Sequence, residues 1–270
     1  MSLKYIIEED NTKRYQKPKN QNLIVNKEKY IFGCEFEFYL TNNNNFDLLL
    51  KELFDISEVD LLVNELSIPR TDDSNDCMHL KYDDTLEENG WEISIPKCSY
   101  NQLKIYIETI NRLIEKYAST NNDTGFHIHI STVNKDGINL DFYKFALLSN
   151  EQNLLNSWYV RNQHCKNVMD VMNYNDKKDS KNIKTKKGRI WNLEKVDNHR
   201  IEIRTMGGES YHLQNTKIFD ELDKYKEIFI ETLLKDSEKY ISLKKNHLDK
   251  INTASDEIKI EFSKLFLNDN

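Results

Sequence analysis

No stretch of this chain approaches the roughly 18 consecutive apolar residues that a membrane-spanning helix needs, so nothing in it is expected to cross a bilayer. Cysteine is sparse. Cys34, Cys77, Cys98 and Cys165 form no CxxC pair and have no zinc-finger spacing. A disulfide framework is not expected in 270 residues whose first ten, MSLKYIIEED, turn acidic without a long apolar core. The expectation is a reduced, cytoplasmic protein. Positive charge is not in excess either. The net charge of -7 excludes a generic polyanion binder, so no nucleic-acid partner is expected and any basic surface must be local. There is no phosphate-binding P-loop, no glycine-rich dinucleotide fingerprint and no convincing Ser or Cys triad. With only 7 glycines and 3 prolines against abundant Asn, Lys and Ile, the composition reads as a coding bias toward AT-rich DNA rather than a functional signal.

What is present can build a core. The 14 Tyr and 12 Phe supply apolar area that argues against general disorder, and the length allows one large domain or two smaller ones. Residues 1 to about 28 are polar and without period, and read as an N-terminal arm. Strand-like text follows at 29–40, 60–68, 77–82, 91–95, 124–133, 189–194 and 199–206. Helices are expected at 46–56, from Ser99 onward, and at 140–157. The second of these opens with Ser99 and Gln102 as a capping box, followed by Leu103, Ile107, Ile110 and Ile114 at helical spacing. After a turn at Gly207-Gly208, the text from about 212 to the end is helical, with a break near 236. Strands do not alternate regularly with helices, so an α+β fold with a mostly antiparallel sheet is expected rather than a doubly wound one. The polar, aperiodic run 161–188 reads as a lid that could keep water from a reactive intermediate.

Three strings place charged or metal-binding side chains two residues apart: Glu35-Phe36-Glu37, His127-Ile128-His129 and Arg200-Ile201-Glu202-Ile203-Arg204. In a strand, residues i and i+2 share a face, so each string puts its polar groups on one side and its apolar partners on the other. The bland alternative for the two glutamates is a solvated sheet face paired with Lys or Arg. For the histidines it is ordinary hydrogen bonding, and for the Arg-Glu-Arg string a surface ion-pair ladder. In Asp83–Pro96, Glu87 and Glu88 suit a solvated turn, whereas Asp83 and Glu92 suit one less well. Taken together, several carboxylates and a histidine suit hard divalent cations, and neighbouring arginines suit phosphate.

In order along the chain, Gly33-Cys34-Glu35-Phe36-Glu37, Asp83-Asp84-Thr85-Leu86, Glu92-Ile93-Ser94-Ile95-Pro96, Gly125-Phe126-His127-Ile128-His129 and Arg189 … Arg200-Ile201-Glu202-Ile203-Arg204 resemble the amidoligases. These belong to the carboxylate–amine ligase superfamily of glutamine synthetase and glutamate–cysteine ligase. The resemblance covers about residues 29–210, leaving 211–270 as C-terminal helices packed on the same domain. It implies a curved, mostly antiparallel sheet, like the glutamine synthetase catalytic domain, whose concave face holds ATP and Mg²⁺ or Mn²⁺. It implies one metal site from Glu35, His127 and Glu202, and another from Glu37 and Glu92 with Asp83 nearby. Arg204, with Arg200 or Arg189, would contact phosphate; His129 and Lys187 would face ATP or substrate. Glu35, Glu37, Glu92 and Arg204 would carry the catalysis. The implied reaction joins a small-molecule or peptide carboxylate to an amine through an acyl phosphate. A phosphotransferase on the same fold and a non-catalytic nucleotide- or peptide-binding protein are the alternatives. Thr85, where the pattern often has Ser, and Trp91, where it often has a smaller residue, are mild departures. The substrates and the oligomeric state stay open.

Overall fold

Strong alternation at Tyr30–Leu40 produces the longest strand of the protein's computed structural model, which describes residues 6–8, 12–17, 29–42, 44–57, 59–64, 77–86, 89–133, 140–158 and 199–266. The fold is α+β, with an open, mostly antiparallel sheet and helices. The chain divides into two units, Met1–Val133 with Met206–Phe219, and Asn134–Thr205 with Asp220–Asn270.

The sheet of the first unit contains β1 (Ile6–Glu8), β2 (Thr12–Tyr15), β3 (Tyr30–Leu40), β4 (Leu61–Asn64), β5 (Met78–Tyr82), β6 (Gly90–Ser94), β7 (Ala118–Ser119) and β8 (Gly125–Thr132). Its order is β1-β2-β4-β5-β6-β3-β8, with β7 paired to the end of β3. All these pairs are antiparallel except β4 with β5. β1 and β2 lie within the segment expected to be an arm. Their text lacks apolar alternation because β2 is held by ladder bonds to β4 and by the Arg14–Asp60 ion pair at 2.7 Å, not by a buried face alone.

One face of this sheet is apolar. Phe36, Phe38, Ile93, Phe126, Ile128 and Ile130 are all buried there. Helix α1 (Asn44–Ile56) and helix α2 (Tyr100–Tyr117) supply Leu49, Leu53, Leu103, Ile107, Ile110 and Ile114 as further core. α2 packs against β3 and α1. It begins as expected: Ser99 Oγ accepts the Gln102 N–H at 3.2 Å, satisfying one of the helix's orphan donors. Trp91 is accommodated by ring contacts, 4.7 Å to Phe46 and 5.9 Å to Tyr82 between centroids.

Gly207, at the end of β9 (Arg200–Gly207), has φ +131, and a Cβ there would meet Thr124 O at 2.6 Å and Gly125 Cα at 2.8 Å. The Gly208 N–H then donates to the same Thr124 carbonyl at 2.8 Å. Glycine is thus required where the chain passes the start of β8. Immediately beyond, Tyr211 stacks on Phe126 and donates its hydroxyl to the Glu37 carbonyl at 3.0 Å.

The second unit is built on helices. α3 (Phe142–Glu151) is shorter than expected, because Asn153 adopts left-handed geometry at φ 56 before a short 3-10 turn at Leu154–Asn156. α4 (Asn215–Thr232) runs from the first unit into the second, followed there by α5 (Glu238–Asn252) and α6 (Asp256–Phe266). The break near 236 is where Ser237 caps α5; a further break before Asp256 was not anticipated. Lys144 is buried on α3, and its ammonium reaches the Leu234 carbonyl at 3.3 Å and Asp236 at 3.4 Å, closing the segment after α4. Trp158 Nε1 donates to Glu221 at 2.9 Å, and Thr205 and Tyr225 share a hydroxyl–hydroxyl bond of 3.0 Å. The expected strand at 189–194 and the expected lid at 161–188 lie outside the described residues. No helix among the described residues is long and apolar enough to cross a membrane.

Candidate metal and phosphate site

The polar face of the first unit's sheet follows from register. Glu35 lies opposite Ser94 on one side and His127 on the other; Glu37 lies opposite Glu92, and Glu92 opposite Lys81. Because strand neighbours in register share a face, β5, β6, β3 and β8 bring Lys81, Glu92, Ser94, Glu35, Glu37, His127 and His129 to the same side. Asp83 joins them from the turn that follows β5.

Glu37, Asp83 and Glu92 are buried, and each offers a carboxylate oxygen within 4.8 Å of the others. Each also has one oxygen held by the protein. The Gly125 N–H donates to Glu37 Oε2 at 2.5 Å. The Thr85 N–H and hydroxyl donate to Asp83 Oδ1 at 3.0 and 2.6 Å, so threonine serves here in the role a serine would fill. The Ser94 hydroxyl donates to Glu92 Oε1 at 2.7 Å, and Lys81 Nζ approaches the same oxygen at 3.1 Å. These donors aim the carboxylates, and no donor among the described residues meets Asp83 Oδ2 or Glu92 Oε2.

Glu35 stands between the two imidazoles, with Oε2 at 3.2 Å from His127 Nδ1 and Oε1 at 3.1 Å from His129 Nε2. His127 is 2% exposed. Its Nε2 makes no hydrogen bond among the described residues and lies 3.5 Å from Glu37 Oε1. With Nδ1 donating to Glu35, Nε2 carries a lone pair directed beside a carboxylate oxygen. A cation satisfies both atoms at once, whereas an imidazole lone pair and a carboxylate oxygen, both acceptors, do not satisfy each other.

The electrostatics agree with this crowding. Burial pushes the Glu92 carboxyl up to about 7, and the nearby Glu35 and Glu37 add to the rise against Lys81 and Ser94. Burial alone would lower the Lys81 ammonium, yet Glu92, Glu35 and Asp83 raise it on balance. Oxygen-rich and hard in character, the donor set fits Mg²⁺ or Mn²⁺. Cys34, on the opposite face of β3, is no nucleophile: burial first, then Cys98 and Glu35, raise its thiol well above the usual range. Cys34, Cys77 and Cys98 are all free and buried.

Arg200, Glu202 and Arg204 share one face of β9 in the second unit. Glu202 is fully buried, and Arg204 Nη1 reaches its Oε1 at 3.4 Å. Arg189 and Lys187 lie outside the described residues. Lys81 and Ser94 are site residues that the motifs did not single out. Ser94 was visible in the alternation Glu92-Ile93-Ser94-Ile95, but Lys81 becomes apparent only through the register between β5 and β6.

A family model described as "Putative amidoligase enzyme" matches residues 28–221. That span contains each of the carboxylates and imidazoles described above. No curated protein matches the chain.

Proposed function

The chain belongs to the amidoligase family, and from that premise we propose that it is an ATP-dependent carboxylate–amine ligase whose divalent ions are held on the acidic sheet face. The observation that carries this reading is the trio Glu37, Asp83 and Glu92, buried together with their ligand oxygens within 4.8 Å of one another. Burying three carboxylates side by side is costly unless a cation compensates them.

In this reading Glu37, Asp83 and Glu92 hold one ion, with His127 Nε2 beside Glu37 Oε1 as a further donor. By resemblance, Glu35 and His127 belong to a second ion site, and His129 meets Glu35. By resemblance, Glu202 is a further ligand, while Arg204, with Arg200 or Arg189, contacts phosphate and Lys187 contacts ATP or substrate. When bound, the ions would neutralise charge on the phosphoryl group in transfer. A substrate carboxylate oxygen bonds to the γ-phosphorus of ATP as the bond to ADP breaks. The amine nitrogen of the second substrate then bonds to the acyl carbon, phosphate leaves, and the nitrogen gives up a proton. No side-chain nucleophile is required, in keeping with the inert Cys34. Guanidinium groups near the reacting phosphoryl would stabilise the charge that develops.

The test is calorimetric. ATP is titrated into the protein with Mg²⁺ and again with excess chelator. Tight binding only with Mg²⁺ is expected, and equal affinity in both conditions would overturn the metal-dependent reading. ADP release in a screen of acid and amine pairs would then identify the substrates.

A further inference from the structure

Lys81 is the one lysine whose ammonium the described residues place against the carboxylate trio, 3.1 Å from Glu92 Oε1. It stands opposite Glu92 in the β5–β6 register, so the pairing is built into the sheet rather than reached across a loop. Its side chain is 35% exposed while that of Glu92 is 7% exposed. The lysine therefore enters from the solvent side of the face and can leave by the same route, whereas the carboxylate cannot. Four rotatable bonds and a compact charge make an ammonium well suited to such an exchange. Ser94 holds the same oxygen independently at 2.7 Å, so Glu92 stays aimed when the lysine departs.

Resting on the ligase reading above, we propose that Lys81 is a built-in counter-cation that neutralises Glu92 through Oε1 in the metal-free protein and, by its charge, competes with the divalent ion for this carboxylate. Its ammonium offsets part of the repulsion among Glu37, Asp83 and Glu92 until the ion enters. Lys81 is then released from Glu92 toward solvent, where an anionic substrate would meet it. It is a positioning residue that sets how tightly the face takes its metal and keeps the empty site folded.

The experiment uses Mn²⁺ alone as the probe, with free Mn²⁺ counted by electron paramagnetic resonance, on full-length wild type, K81M and K81R. K81M is expected to bind Mn²⁺ about fivefold more tightly or better, the size of one unit-charge interaction at about 4 Å screened as in bulk water. K81R, which retains the charge, is expected to stay within about twofold of wild type on the same reasoning. Without metal, K81M should melt below wild type, and saturating Mn²⁺ should close that gap. Equal or weaker Mn²⁺ binding by K81M, with wild type binding normally, overturns the competition. If metal-free K81M does not fold, Mn²⁺ should restore its fold, and failure to do so also overturns it. Absence of Mn²⁺ binding by wild type itself would instead remove the ligase reading on which the inference rests, and the inference with it.

Discussion

At Glu92 and Glu35, side chains that would repel one another in isolation are kept together by donors on only some of their oxygens. Removing one negative charge from such a face relieves repulsion even as it removes a ligand. Glu35→Gln is therefore expected to abolish turnover while the metal-free protein melts at or above the wild-type temperature. Turnover assays paired with thermal denaturation in chelator check this, and a variant that unfolds or keeps full activity would mark the residue as part of a structural ion pair. Glu35-x-Glu37 and His127-x-His129 were legible in the sequence because alternation in a strand is local. That His129 as well as His127 meets Glu35 was not legible, because both contacts depend on how β3 and β8 align, with Glu35 opposite His127 and Gly33 opposite His129. A glutamate–lysine pair of the kind that the bland alternative invokes occurs at Glu92, whose partner is Lys81.

Among the elements, β9 ends where Gly207 passes the Thr124 carbonyl with positive φ. Gly207→Ala is expected to destabilise the protein by about 1–3 kcal/mol or more, the cost of a strained backbone conformation. Gly33→Ala, whose Cβ would rest 3.9 Å from His129 Cβ, is in ordinary contact and should cost far less by the same denaturation measurement. In the second unit, Tyr143 and His247 join α3 to α5 through a hydrogen bond of 2.6 Å. Burial, then Lys250, lower the His247 imidazole, and burial raises the Tyr143 phenol, so the phenol donates to a neutral Nδ1. A histidine whose folded value is depressed stabilises the fold above its unfolded value of roughly 6.5 and loses that contribution as pH falls through the lower folded value. Melting temperature should therefore decline between about pH 7 and pH 5, and His247→Gln should flatten that part of the profile. An unchanged slope in the variant would assign the acid sensitivity to other groups. At this scale the sequence was informative where signals are local, as at the Ser99 cap and the Ser237 break, and less so at α3. Its apolar run continued past Glu151, but Asn153 turned the backbone.

For the whole molecule, a ligand that binds only the folded protein must raise its stability by mass action. Mg²⁺ is expected to raise the melting temperature in a concentration-dependent way, chelator to reverse it, and Glu37→Gln to blunt it. A wild-type melting temperature indifferent to Mg²⁺ would contradict a metal role for the acidic face. Hydrogen exchange should locate the added protection in β3, β5, β6 and β8, the strands that carry or border the carboxylate trio.

The sequence by itself determined the α+β class, the face on which each motif presents its charged groups, and most helix starts. Each of these depends on a period of two or about 3.6 residues, or on a cap within one turn, and those interactions are closed over a few residues. Only the tertiary structure decided that β6 lies between β5 and β3, that β4 and β5 run parallel, and that Lys81 rather than a more distant lysine faces Glu92. Strand order and register are set by ladder bonds and burial between residues far apart in the chain. A one-residue slip would leave the alternation intact while turning every side chain of the strand to the opposite face, so local text does not encode that choice.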